Sequence, residues 1–136
     1  MKQMVSGIVV ACLVLAVMAG CRGGGQIYNV QDAPLQLATG KEPSMEDVQK
    51  AIIQAGVGLG WTMAVVKSGE IMGTLNVRSH QAVVTIPYTT KTYSILYKDS
   101  NNLKYNADKQ TIHENYTGWI QRLDGAIRSR LTAAGM

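Results

Sequence analysis

The stretch that decides the fold is IMGTLNVRSHQAVVTIPY, residues 71–88, in which apolar and polar residues alternate in two successive runs. The apolar members recur at every second position and include Ile71, Leu75, Val77, Ala82, Val84 and Ile86. Alternation of this kind is typical of strands that bury one face. Pro87 favours the end of a strand or the edge of a sheet. The stretch therefore predicts two strands, 71–79 and 80–88, and the short link between them predicts antiparallel pairing.

The segments on either side extend this pattern to four strands. Residues 61–67, WTMAVVK, are rich in aromatic and β-branched side chains and end in a turn. Residues 92–98, TYSILYK, follow the central pair after a short link. Because short links join neighbouring antiparallel strands, the four segments predict a meander.

Two amphipathic helices flank the strands. Ser44 stands three positions before Asp47, which is a capping-box start, and the glycines of GVGLG at 56–60 end that helix. A second helix is predicted over 111–134 from one apolar stripe, made of Ile112, Tyr116, Trp119, Ile120, Leu123, Ile127 and Leu131. A sheet with one apolar face needs a cover. The chain therefore predicts an α+β two-layer sandwich: helix, four-stranded antiparallel meander, helix, with both helices on one sheet face.

The N-terminus reads as an export signal. Lys2 precedes an uncharged apolar run over 8–19, and VMAGC at 17–21 closes it; these are the parts of a secretory signal peptide. VMAGC resembles the lipobox of bacterial lipoproteins, with Met18 in place of the usual Leu. The resemblance implies cleavage after residue 20 and attachment of diacylglyceryl and palmitate-type acyl chains at Cys21. An uncleaved membrane anchor over 4–20 is the alternative.

Location and tethering follow from the next residues. Arg22 stands where enteric-type lipoproteins retained in the inner membrane carry Asp, so by resemblance we expect a lipid anchor on the periplasmic face of the outer membrane. Residues 21–43 contain three consecutive glycines and two prolines, which predict a flexible tether ahead of a single α+β domain over 44–136. The alternative is that residues 26–38 dock on the domain as an edge strand.

The composition excludes several kinds of site. Cys12 falls within the predicted signal peptide and Cys21 would carry lipid, so the mature chain would have neither a disulfide nor a cysteine-based zinc site. The net charge of +4 comes from scattered residues and does not indicate nucleic-acid binding. The sequence has no GxSxG, P-loop or dinucleotide signature. We therefore expect no metal, no cofactor and no enzymatic activity.

Polar and aromatic residues near the predicted sheet form a candidate binding patch: Arg78, His80, Tyr93, Tyr97, Asn101 and Asn102. Arg78 with His80 can bind an anion; the alternative is an exposed arginine and a histidine that caps a turn. The two tyrosines share a strand face that either stacks against a partner or packs beneath the helices. The two asparagines either grip a ligand or bond to their own backbone. His113, at the start of the last helix, is expected to cap or pack.

The segments that hold these residues resemble a family of small uncharacterised proteobacterial lipoproteins. The resemblance rests on RSH at 78–80, YSILYKDSNNLKY at 93–105 and IHENYTGWI at 112–120, with GW at 60–61. Members share R-x-H, YSI-x-Y-x-x-S-x-NL-x-Y and IH-x-NY-x-x-WI patterns after a lipobox. The match covers about residues 44–125. It implies a compact periplasmic domain and no particular activity.

Three functions are compatible with these patterns. The leading one is a non-enzymatic envelope lipoprotein whose domain binds another envelope component, a protein in the first instance, through the open sheet face or the Asn-rich loop. The second is a binder of a small ligand or cell-wall fragment, which needs a concave pocket lined by the candidate residues. The third is a hydrolase that uses His80 or His113 as a base, which needs a nucleophile or activated water within hydrogen-bond reach.

Overall fold

The computed structural model describes residues 24–35, 37 and 39–134; the predicted signal peptide, Cys21 and Arg22 lie outside them. The elements in chain order are β1 (Gly25–Gln26), β2 (Val30–Pro34), α1 (Met45–Gly58), β3 (Thr62–Lys67), β4 (Glu70–Val77), β5 (His80–Pro87), β6 (Thr92–Asn101), β7 (Thr111–Ile112) and α2 (Asn115–Ala134). The predicted α+β class is confirmed. None of the helices in these ranges is both long and apolar enough to cross a bilayer.

The main sheet is antiparallel and has the strand order β2-β6-β5-β4-β3. The opening stretch forms the β4–β5 hairpin, in which Ile71 pairs with Ile86 and Val77 pairs with His80. Strands β3 and β6 flank this hairpin, as their short links require. A register shift interrupts the β5–β6 pair at Val83 and Val84. The four central strands thus follow one another in chain order.

The sheet has five strands, whereas the sequence predicts four, because the segment assigned to a flexible tether supplies β2. Val30 and Ala33 are buried in the core, and β2 pairs along β6 with Val30 opposite Ile95. The backbone N–H of Asp32 also donates to Ser94 Oγ at 2.9 Å. A strand edge with unpaired backbone groups gains from such a partner. The docking alternative is therefore what the structure shows for residues 30–34.

A small second sheet joins β1 to β7, with Gly25 opposite Ile112. The last helix consequently begins at Asn115, not at 111, because Thr111 and Ile112 pair with the N-terminal segment. Gly24 has a φ of 100°, and a Cβ at this position would overlap the carbonyl group of Ile112. Only glycine fits both the conformation and the space. This glycine therefore fixes the chain to the domain and does not act as a spacer.

One hydrophobic core contains buried residues of the main sheet and of both helices. Alternate residues are buried from Ile71 to Leu75 on β4 and from Ala82 to Ile86 on β5, as the alternation predicts, whereas Val77 is only half-buried. Helix α1 starts with the expected capping box between Ser44 and Asp47. Helix α2 contributes one stripe of buried side chains, made of Tyr116, Ile120, Leu123, Ile127 and Leu131. The burial of these stripes is the main driving force for folding.

Candidate functional site

The turn between β4 and β5 is the centre of a polar cluster. Arg78 has a φ of 55°, the left-handed conformation that a two-residue hairpin link favours. His80 Nδ1 lies 2.6 Å from the carbonyl oxygen of Asn102, and Asn102 Nδ2 donates to Ser79 Oγ at 2.9 Å. A carbonyl oxygen can only accept, so His80 donates through Nδ1. His80 thus ties the end of β6 to the hairpin turn.

His113 brings a second imidazole to the same place. The ring centroids of His80 and His113 are 5.8 Å apart and the rings are tilted by 36°. His113 Nδ1 accepts a hydrogen bond from the backbone N–H of Asn115 at 3.1 Å. It therefore caps α2, as expected, and its neutral ring carries the proton on Nε2. We call Ser79, His80, Asn102 and His113 the hairpin-end cluster.

Tyr97 on β6 is half-buried. Its ring stacks on Tyr105 with centroids 4.5 Å apart and meets Tyr116 edge-on at 5.8 Å. Its hydroxyl lies 2.8 Å from Ser100 Oγ. Burial raises the pKa of Tyr97. The ring therefore joins β6 to α2 and to the loop that follows β6, and Tyr105 covers one face of the ring.

Tyr93 is not part of an exposed patch. It is 1% exposed, and its hydroxyl donates to Asp124 of α2. Arg128 Nε holds the same carboxylate at 3.1 and 3.2 Å. Burial, followed by the contact with Asp124, raises the pKa of Tyr93, and the neighbouring Tyr93 is the largest influence raising the pKa of Arg128. The reading of this tyrosine as part of a core stripe is the one that the structure supports.

The six candidate residues therefore do not form one surface. Arg78, Asn101 and Asn102 are exposed near the hairpin turn, with His80 beside them. The loop after β6 is held by bonds of its own, since Asn106 Oδ1 accepts from the backbone N–H of Lys109 at 3.0 Å. A ligand-binding role for the exposed residues stays a prediction. Sequence reasoning missed the partnership of Tyr93 with Asp124, because nothing in the sequence pairs residues 31 positions apart.

The geometry gives little support to chemistry at the two histidines. Within the described part of the chain, their recorded ring hydrogen bonds go to the backbone of Asn102 and Asn115. The same residues contain no group of three or more His, Cys, Asp or Glu side chains that could hold a metal ion. A hydrolytic base would need a hydroxyl or water partner. The described residues therefore give no positive support to the hydrolase hypothesis.

Two recesses among the described residues lie away from the candidate patch. A recess of about 260 Å³ is lined by Leu59, Trp61, Leu75, Val77, Trp119 and Arg122. A second, of about 440 Å³, lies between the two helices and is lined by Asp47, Lys50, Ala51, Gln54, Arg130 and Ala133. Neither contains a residue of the candidate patch. The small-ligand hypothesis in its original form, with a pocket lined by those residues, is therefore not supported by these two recesses.

Comparisons with protein-family models, with curated proteins and with solved structures find no match for this chain. The resemblance to small proteobacterial lipoproteins accordingly stays a prediction.

Proposed function

We propose that the protein is a non-enzymatic lipoprotein of the bacterial envelope, anchored through acyl chains on Cys21 at the periplasmic face of the outer membrane. Its folded domain binds a second envelope component, a protein, through the sheet face opposite the helices. The lipobox-like VMAGC and Arg22 support the anchor and its location. The second face of the sheet, described below, supports the binding role.

The proposed layering has both helices on one side of the sheet. Support comes from the burial pattern, in which Ile71 and Leu75 on β4 and Val84 on β5 are buried while their sequence neighbours are not. The buried stripes of α1 and α2 belong to the same core as these strand residues. A sheet covered on one face only leaves its second face for solvent or for a partner.

The second face carries two rows of side chains that cross four strands. One row runs through Thr62, Thr74, Val83 and Asp99, and the other runs through Ala64, Met72, Thr85 and Leu96. These side chains are exposed or half-buried. The rows contain small, β-branched and apolar groups and a single charge, which suits the central part of a protein interface better than a nucleic-acid surface. This half-buried face is the observation that carries the proposal.

The test is site-specific photocrosslinking in living cells. A photoreactive side chain at Thr85, in the middle of the second face, is expected to capture one envelope protein. The matched control carries the same group at Gln121, an exposed position on α2, and is expected to capture little. Cys21→Ala is expected to abolish membrane retention. Equal capture from both positions, or none from Thr85, would contradict the proposed surface, and a wild-type protein without acyl groups would contradict the anchor.

A further inference from the structure

We infer that one end of the domain lies directly against an anionic lipid surface. This end, which we call the entry end, comprises β1, β7, the hairpin-end cluster and the loop 102–110. The inference rests on the proposed lipid attachment at Cys21. It replaces the flexible-tether expectation, under which the domain would stand clear of the lipid headgroups.

The first argument is the length of chain that remains between lipid and fold. Gly24 is three residues after Cys21, and an extended chain spans at most about 3.3–3.6 Å per residue. The distance from the anchor to Gly24 is therefore at most about 10 Å. Gly25 and Gln26, which follow directly, are tied to the domain, because β1 pairs with β7 and the backbone N–H of Ile27 donates to the carbonyl oxygen of Gln110 at 2.9 Å. An anchor this short leaves the entry end nearest to the membrane.

The topology defines what belongs to the entry end. The β4–β5 turn lies there, because His80 next to it bonds to Asn102 and packs near His113. The opposite end holds the other hairpin turn, where the backbone N–H of Tyr88 donates to Gly69 at 2.9 Å. Strand β2 leads from the first end toward the second, since Val30 pairs with Ile95 and Pro34 with Thr92. The two ends are thus separated by the length of the strands.

The surface chemistry of the entry end suits lipid headgroups. It exposes the cations Arg78, Lys104 and Lys109. Two carboxylates, Asp108 and Glu114, are exposed at the same end and offset part of this charge. Basic groups close to an anionic leaflet are attracted to it within about one Debye length, roughly 8–10 Å.

Aromatic and apolar side chains accompany these cations. Tyr105 is 40% exposed, and Leu59, which lines the 260 Å³ recess together with Val77 at the end of β4, is 41% exposed. Arg122 lines the same recess. An amphipathic ring and an aliphatic group can dip into the headgroup layer while neighbouring cations stay at its surface. With this end on the bilayer, the strands point away from the membrane and the proposed binding face stays accessible from the periplasm.

The test uses the full-length protein, purified after expression with its own signal sequence. It is reconstituted into vesicles of phosphatidylethanolamine and phosphatidylglycerol that contain a nitroxide-headgroup lipid. A fluorescent side chain replaces Lys109 at the entry end or, as the matched control, Lys67 at the opposite end. Both lysines are exposed. We expect at least threefold stronger quenching at position 109 than at position 67.

The outcomes separate the two proposals. Equal quenching at the two positions, or stronger quenching at 67, would overturn the orientation although the protein is lipidated. Mass spectrometry of the N-terminal peptide is the second measurement: absence of acyl groups on Cys21 would overturn the proposed anchor, and the orientation would fail with it. Arg78→Glu combined with Lys104→Glu is expected to reduce the quenching at 109 at low salt. No change in that double variant would overturn the role of the cations.

Discussion

At the scale of single residues, two buried tyrosines contrast in how their hydroxyls are satisfied. The Tyr93 hydroxyl donates a hydrogen bond to the Asp124 carboxylate, which also accepts one from Arg128 Nε. Tyr116 is fully buried, and among the described residues its hydroxyl has no hydrogen-bond partner. A hydrogen bond to a charged group stabilises a fold by about 1.5–3 kcal/mol, whereas an unsatisfied buried hydroxyl costs about 1–3 kcal/mol. The same chemical deletion should therefore have opposite effects at the two positions.

We expect Tyr93→Phe to lower the free energy of unfolding by about 1–3 kcal/mol, because Asp124 loses a donor. Tyr116→Phe should leave that free energy unchanged or raise it by about 1 kcal/mol. Urea unfolding followed by tryptophan fluorescence measures both. Tyr105→Phe, at an exposed ring, is the control and should change little. A Tyr116→Phe protein less stable than the Tyr93→Phe protein would contradict this reading of the two hydroxyls.

At the scale of elements, the N-terminal strands show how local signals can mislead. Three consecutive glycines and two prolines are typical of a linker. Yet Gly24 is required by a positive φ and by the nearness of Ile112, and Val30 and Ala33 complete the core. The free edge of β6 decides that this segment docks, because the docked strand supplies hydrogen-bond partners for the backbone groups at that edge.

The Gly24→Ala and Gly25→Ala pair isolates this effect. A Cβ at Gly24 would overlap the Ile112 carbonyl, whereas a Cβ at Gly25 would meet nothing within 4 Å. We expect Gly24→Ala to break the β1–β7 pair and to speed hydrogen exchange at the amide of Ile27 at least tenfold, with Gly25→Ala close to wild type. The free energy of unfolding of the whole domain should fall by less than it would if the main sheet were also disrupted. Equal exchange rates in the two variants would show that this contact is not needed.

At the scale of the whole molecule, stability should depend on alkaline pH. Burial raises the pKa of Tyr93, Tyr97 and Tyr116 above the ordinary value near 10. The folded state then keeps protons that the unfolded state releases, so the free energy of unfolding falls as pH rises. The contribution is complete below about pH 10 and is lost progressively above it, up to the raised pKa values.

We expect the urea midpoint of unfolding to stay constant up to pH 9 and to fall steeply between pH 10 and 11. This expectation concerns the part of the pH dependence that these three tyrosines cause. Tyr116→Phe should show a shallower fall, because one of the raised tyrosine pKa values has been removed. Tyrosine ionisation followed by absorbance at 295 nm provides the matched readout. A wild-type midpoint that is unchanged at pH 11 would contradict the burial of these hydroxyls.

The sequence by itself determined the elements whose signals are local. The alternation over residues 71–88 specified a hairpin with one buried face, the Ser44–Asp47 capping box specified the start of α1, and the stripe of α2 from Tyr116 onward specified its buried side. These features depend on residues within a few positions of one another. The same holds for the expectation that His113 caps α2, which the bond to Asn115 confirms.

Only the tertiary structure decided the contacts between distant segments. Docking of β2 on β6, pairing of β1 with β7, and the partnership of Tyr93 with Asp124 each join residues that are far apart in the chain. Their physical cause is the satisfaction of backbone and side-chain polar groups at surfaces that exist only once the sheet has formed. For the same reason the six-residue patch divided into exposed and buried members, since which strand face is covered depends on where the helices pack.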